Sequence, residues 1–223
     1  MKYFFLITIF LVLSNAAAAL ELKGKFNQGN LILGKAEPNS KVFINKKEVK
    51  VSSEGFFAFG LAKDRKNDVN IEVLNNNSKK VLVKKVYKKK YKVQKINGLP
   101  KKQVTPPKEV YERIKNDNKL IGEARSINSD LIYFTNKFTA PINNSIITGI
   151  YGSQRILNGI PKSPHYGLDF AAKEGTEIKA MLDGIVTLSE KDLYYTGGTV
   201  IFDHGHGVST LYMHMKDNFV KNN

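Results

Sequence analysis

Glycine recurs at Gly152, Gly159, Gly167, Gly175 and Gly184, and only short runs of Val, Ile, Leu and Phe stand between. Such runs are too short for long helices; bounded by Gly, Asn, Ser and Pro, they read as β-strands joined by tight turns. The first half of the chain has the same texture. Strands are expected at 31–33, 41–44, 48–51, 56–59, 69–74 and 81–93. Turn chemistry separates them at Pro38-Asn39-Ser40, Asn45-Lys46-Lys47, Ser53-Glu54-Gly55 and Asn75-Asn76-Asn77-Ser78. A small sandwich-like β module over 20–96 follows. It holds no cluster of His, Asp and Glu, so binding or spacing is expected of it rather than catalysis.

A connector occupies 97–136. Thr105 is placed to cap a helix whose first turn tolerates Pro106 and Pro107. Val110, Ile114, Ile121 and Ala124 recur at helical spacing as far as Arg125, giving one apolar stripe. The segment reads as a linker helix packed on a neighbour, with a partner-binding helix as the alternative. From 137 to 223 the strand pattern resumes at 146–152, 176–180, 184–188, 198–202 and 209–214, for a mostly antiparallel sheet. The fold class is therefore mainly β, in two β regions joined by a helix.

Residues 1–19 are set apart. Met1-Lys2 is a positive start, Tyr3 to Leu13 is apolar, and Ser14-Asn15-Ala16-Ala17-Ala18-Ala19 supplies small residues at a cleavage site, the pattern of a secretory signal peptide. The apolar run falls short of the roughly 20 residues a membrane span needs, although a retained anchor is the alternative. With no cysteine, the chain has no lipoprotein acceptor, disulfide or thiolate metal site. A periplasmic or secreted product without a stable membrane span is expected.

The 35 Lys and Arg residues outweigh 20 Asp and Glu to give a net charge of +15, and loss of Lys2 with the signal leaves +14. An exported basic protein meets carboxylate-bearing cell wall and anionic membrane surfaces rather than nucleic acid. Nine of the lysines fall between Lys79 and Lys95, interleaved with Val and Tyr. They read as the solvated, aggregation-guarding face of a strand, compatible with attraction to the wall.

Chemistry concentrates at His165-Tyr166-Gly167-Leu168-Asp169. Imidazole nitrogen and carboxylate oxygen are two of the donor types that hold catalytic zinc, usually as three protein ligands plus water. A surface histidine beside a turn-capping aspartate is the plainer reading of the bare pair. His204-Gly205-His206 offers a second pair, but its glycines suit a hairpin, which makes His206 turn surface and His204 strand-end structure.

The segment Pro164-His165-Tyr166-Gly167-Leu168-Asp169-Phe170-Ala171-Ala172 is followed in order by Gly175-Thr176, Ala180, Gly184-Ile185-Val186, Gly197 to Ile201, Asp203-His204-Gly205 and Leu211-Tyr212-Met213-His214-Met215. Together these landmarks resemble the lysostaphin-type (LytM-type) zinc endopeptidases that cut peptidoglycan cross-links, as found in exported multi-domain members of Gram-negative bacteria. The resemblance implies the duplicated hybrid-motif peptidase fold over 137–223. It implies zinc held by His165 and Asp169, a catalytic role for His214 beside the metal, and peptidoglycan peptide stems as substrate. Arg155, in the Tyr151 to Pro161 loop, is a candidate substrate contact. Family members continue to a His-x-His motif that supplies the third ligand, so the chain is expected to be a C-terminally truncated member with weak zinc binding and an open, aggregation-prone sheet edge. A non-catalytic regulator of other wall hydrolases is the alternative, and a wall-binding module resting on the lysine-rich strand is a third reading. Divisome or hydrolase partners are not identified by the sequence.

Overall fold

The computed structural model describes residues 20–76 and 78–222. The expected signal peptide, 1–19, lies outside the described residues. Among the described residues, no helix is long and apolar enough to cross a membrane.

Alternation of apolar and polar residues builds the first β region. Strands β1 (Glu21–Lys23), β2 (Leu31–Lys35) and β5 (Phe56–Gly60) form one antiparallel sheet in the order β1-β2-β5. Strands β3 (Lys41–Ile44), β4 (Lys47–Val49), β6 (Val69–Asn75) and β7 (Ser78–Lys84) form a second in the order β4-β3-β6-β7. In β6, Val69, Ile71 and Val73 point inward while Asn70 and Glu72 point out, the period-two pattern of a half-buried strand. Those three residues join Ile32, Val42, Phe57, Phe59 and Leu61 in the main hydrophobic core. Gly34 on β2 faces the Phe57 ring, and a Cβ there would collide with it.

Within the lysine-rich stretch, the single strand expected over 81–93 is two. Strand β7 ends at Lys84, and β8 (Val93–Ile96) is separate. Between them the chain turns back, because Tyr87 is tied to the first β region. Its N–H donates to Phe26 O at 2.8 Å, and its own carbonyl accepts from Gln28 N–H at 3.0 Å. Strand β8 then leaves the first region and pairs in parallel with β10 (Gln154–Leu157), which pairs antiparallel with β11 (Ile160–Pro161). The expectation of mostly antiparallel pairing thus meets a parallel strand pair, which runs from the lysine-rich segment to the strand beside the His165 segment, and the isolated Asn27–Tyr87 bridge is parallel as well.

Thr105 does not cap the main helix. It closes the C-terminal end of a single turn, α1 (Lys101–Val104), and its N–H donates to Lys101 O. Pro106 and Pro107 lead instead into a 3-10 turn, Lys108–Val110, before α2 (Tyr111–Ser126). Of the expected stripe, Ala124 is buried and Ile121 packs beside it against Leu188, Leu193 and Ile201. Asp117 Oδ2 accepts from Tyr194 N–H at 2.7 Å, and Arg113 pairs with Asp192 at 2.8 Å, fixing the helix to the sheet. The helix expected in the connector is therefore packed on the sheet beside it.

That sheet is β13 (Ile185–Leu193), β14 (Gly197–Asp203) and β15 (Ser209–Met215) in an antiparallel meander. A two-stranded sheet, β9 (Ile146–Gly149) with β12 (Asp169–Ala171), carries the site segment. Residues 176–180, expected as a strand, form none; Lys179 N–H bonds to Pro141 O at 3.0 Å and Thr139 N–H to Met181 O at 2.9 Å.

Candidate active site

His165 is held by its backbone. Its N–H donates to Ser153 O at 2.9 Å and its carbonyl accepts from Gly152 N–H at 2.6 Å, so the turn between β9 and β10 clamps the residue on both sides. Its side chain is almost fully buried. Asp169 opens β12 and sits opposite Gly149 of β9, with a register shift immediately after it. His165 Nε2 and Asp169 Oδ1 approach to 3.0 Å. The other carboxylate oxygen, Oδ2, accepts from Arg155 Nη2 on β10 at 3.3 Å.

Three of the four sequence-derived site residues therefore converge, and the fourth stands apart. His214 lies on β15, is exposed, and has a backbone φ of 62°. Tyr212 faces Val200 and Met215 faces Gly198, so Met213 and His214 share the place opposite Thr199 and form a bulge. Bulges of this kind re-aim a side chain out of the strand's alternation. Among the described residues, no hydrogen bond or ion pair joins His214 to His165, Asp169 or Arg155.

The donor chemistry at His165 and Asp169 suits a metal in part. Two ligand atoms on a tetrahedral zinc with bonds of about 2.0–2.1 Å stand about 3.3 Å apart, close to the Nε2 to Oδ1 separation. His165 Nδ1 is buried without a hydrogen-bond partner, so the ring lacks the protein acceptor that usually orients a metal-ligating imidazole. Among the described residues there is also no group of three or more His, Cys, Asp or Glu able to hold a metal ion. The pair supplies two corners of a site, and no catalytic step is derived through it.

The second histidine pair is structural at one residue and lies at a joint at the other. His204 is fully buried; its Nδ1 bonds to Asp183 O at 2.7 Å and its Nε2 to Thr210 Oγ1 at 2.8 Å. Both ring nitrogens are thus committed within the fold. Gly205 and Gly207, at φ of 95° and 74°, turn the chain between β14 and β15 as a hairpin. His206 is more than turn surface: half-buried, it packs on Phe134 with ring centroids 5.0 Å apart, and its N–H donates to Ser129 O at 3.1 Å. Burial first, and then Lys50, hold its pKa below the ordinary histidine value.

Two clefts flank these features. One of about 340 Å³ is lined by Tyr151, Pro164 and Tyr166 beside His165 and by Ala62, Lys63 and Asp64 from the first β region. A slightly larger one, about 390 Å³, surrounds His206 and Asp130. Neither is lined by His165, Asp169 or Arg155 themselves, but the smaller one is lined by Pro164 and Tyr166, the chain neighbours of His165. Lys63 and Asp64 were not legible as neighbours of Pro164 and Tyr166, since they lie about a hundred residues away in sequence. Gly149 was also missed, although a glycine inside a strand signals a close approach. A Cβ at Gly149 would collide with the Asp169 carboxylate.

The segment that carries these residues is similar to known proteins. Residues 163–223 match the model of Peptidase family M23. The DD-carboxypeptidase/endopeptidase Mpg of Neisseria meningitidis serogroup B is 41% identical over 51 residues, which cover 23% of this chain and 12% of that protein. An uncharacterized metalloprotease of Haemophilus influenzae is 41% identical over 61 residues, covering 26% of this chain and 12% of its own. This chain thus spans only about an eighth of the length of these relatives in the matched region. A crystal structure from Pseudomonas aeruginosa, assigned to peptidase M23, superposes with a TM-score of 0.60 at 23% identity, over 89% of this chain and 78% of the other. At that identity the superposition speaks to the fold, and the sequence matches speak to the site segment. Residues 163–223, the segment that carries His165, Asp169 and His214, are thus similar to peptidases of family M23.

Proposed function

We propose that this chain is part of an exported peptidoglycan metalloendopeptidase that cleaves cross-linking peptide bonds during cell-wall remodelling. The observation that carries the reading is the convergence of His165 Nε2 and Asp169 Oδ1 at 3.0 Å, on a segment matching a peptidase family. In this reading His165 and Asp169 are two ligands of a zinc ion whose set a third protein donor completes. Zinc bound there would lower the pKa of its water to about 7 and polarise the scissile carbonyl.

The chain's own residues would do the rest. Tyr151 and Tyr166, edge to face at 6.1 Å, offer an apolar wall for a peptide backbone lying in the cleft. Lys63 and Asp64 on the opposite wall suit a stem that carries both free carboxylates and free amines. His214, raised on its bulge, is the candidate to hydrogen-bond the developing oxyanion and to move protons once substrate is bound. The surplus of basic residues favours encounter with an anionic wall. A cleavable leader and a periplasmic or secreted location complete the reading.

A second reading has one observation in its favour. The lack of a third donor among the described residues suits a family member that regulates other wall hydrolases without cleaving anything itself. Digestion of purified cross-linked muropeptides, followed by mass spectrometry, separates the two. The peptidase reading expects zinc-dependent conversion of cross-linked dimers to monomers, abolished in His165→Ala and Asp169→Ala. The regulator reading expects no conversion by this protein alone and faster conversion when a separate wall hydrolase is present.

A further inference from the structure

The Asp169 carboxylate is confined from three directions. Oδ1 meets His165 Nε2 at 3.0 Å, Oδ2 accepts from Arg155 Nη2 at 3.3 Å, and the Oδ2 side lies over Gly149, where a Cβ would collide with it. A free aspartate rotates about its Cα–Cβ and Cβ–Cγ bonds; here each oxygen has a different assignment. Arg155 is itself anchored. Its strand, β10, is the central one of β11-β10-β8, and Arg155 O accepts from Lys162 N–H at 2.9 Å. In register it faces Gln94 on β8, at the end of the lysine-rich segment. The guanidinium side chain is about a third exposed, yet its Nε is buried without a partner, so the group is turned inward at the site.

We propose that Arg155 is a positioning residue that holds Asp169 Oδ2, with Gly149 leaving the carboxylate its room, so that Oδ1 stays aimed at the point it shares with His165. This differs from a role in gripping substrate. The inference rests on the reading of His165 and Asp169 as metal ligands. Hydrogen-bonded partners behind a ligand fix its orientation, and their loss typically weakens metal binding about 10- to 100-fold. Arginine suits the position because its charge is permanent and its planar donors reach an oxygen from a rigid plane.

The test is zinc affinity of the whole chain, measured by competition with a chelating dye, with a thermal melt recorded for each protein. Arg155→Gln and Gly149→Ala are each expected to raise the zinc Kd at least about tenfold, and Arg155→Lys to recover most of the loss. Should Arg155→Gln fail to fold, Arg155→Met carries the same expectation. His165→Ala and Asp169→Ala serve as references. If both references lose zinc while Arg155→Gln and Gly149→Ala bind it within about twofold of the parent protein, the positioning role is refuted and the proposed function stands. If neither reference changes zinc binding, the metal reading fails and this inference falls with it. A rise in KM for muropeptide with an unchanged zinc Kd would make Arg155 a substrate contact and overturn the proposal.

Discussion

His204→Ala separates a structural histidine from a metal-binding one, because His204-Gly205-His206 imitates a ligand motif. The ring is 0% exposed, stacks 6.3 Å from the Phe202 ring at 11°, and lies against Gly184, where a Cβ would stand 2.7 Å from Nδ1. Truncation removes a filled volume worth about 2 kcal/mol, less than the 3–5 typical of a larger buried aromatic. It also removes the hydrogen bonds to the Asp183 carbonyl and the Thr210 hydroxyl, about 0.5–1.5 kcal/mol each and so about 1–3 kcal/mol for the two. The total is about 3–5 kcal/mol, or a fall in Tm on the order of 10 °C for a chain of this size. The chain has no tryptophan, so urea unfolding in EDTA followed by far-UV circular dichroism is the suitable assay. His204→Asn, which can still bond Asp183 O from about the Nδ1 position, should cost less than the alanine. A loss below about 1 kcal/mol for metal-free His204→Ala, together with loss of a bound metal, would refute the structural assignment.

Phe57→Ala empties a fully buried position between Gly34 and Phe59 and should cost about 3–5 kcal/mol, read as an early urea transition. His206 contributes a pH dependence. Burial and the Lys50 charge depress its folded pKa, while a hydrogen bond with the Lys50 backbone and then Asp130 and Asp203 oppose them, so the unfolded chain takes up the proton more readily. Stability from this group is fully present above the unfolded pKa of about 6.5 and is lost as pH falls below it toward the folded value. His206→Asn, a residue that tolerates the φ of 52°, should show a smaller drop in Tm between pH 7.5 and pH 5 than the parent protein; equal drops would contradict the assignment. Asp117→Ala strands the Tyr194 N–H and should cost about 1–2 kcal/mol, exposing the Ile127 to Leu131 segment to faster limited proteolysis; unchanged digestion would show that the helix is docked by its apolar stripe alone.

What the sequence made legible was whatever repeats at short range. Strands with clean alternation, such as Lys41–Ile44 and Val69–Asn75, were read almost to their ends, because a half-buried sheet face writes itself as period two. The stretch from Val81 to Val93 kept that texture but not the strand, since the bonds of Tyr87 to Phe26 and Gln28 interrupt it, and such long-range partners leave no local trace. Thr105 failed as a cap for the same reason that it looked like one: Pro106 and Pro107 start a new turn instead of continuing the first. At the site, the ordered landmarks carried His165 and Asp169 directly. The roles of Gly149, Lys63 and Asp64 depend on which strands meet, which no local pattern encodes. The bulge at His214 is likewise set by its pairing with β14.

The central proposal is that His165 and Asp169 share one metal ion. A zinc-edge anomalous difference map from crystals grown with zinc tests it at the atoms concerned. The account predicts a peak within bonding distance of His165 Nε2 and Asp169 Oδ1, absent from crystals of Asp169→Ala. A peak at His204 or His206 instead, or density unchanged by Asp169→Ala, would contradict it.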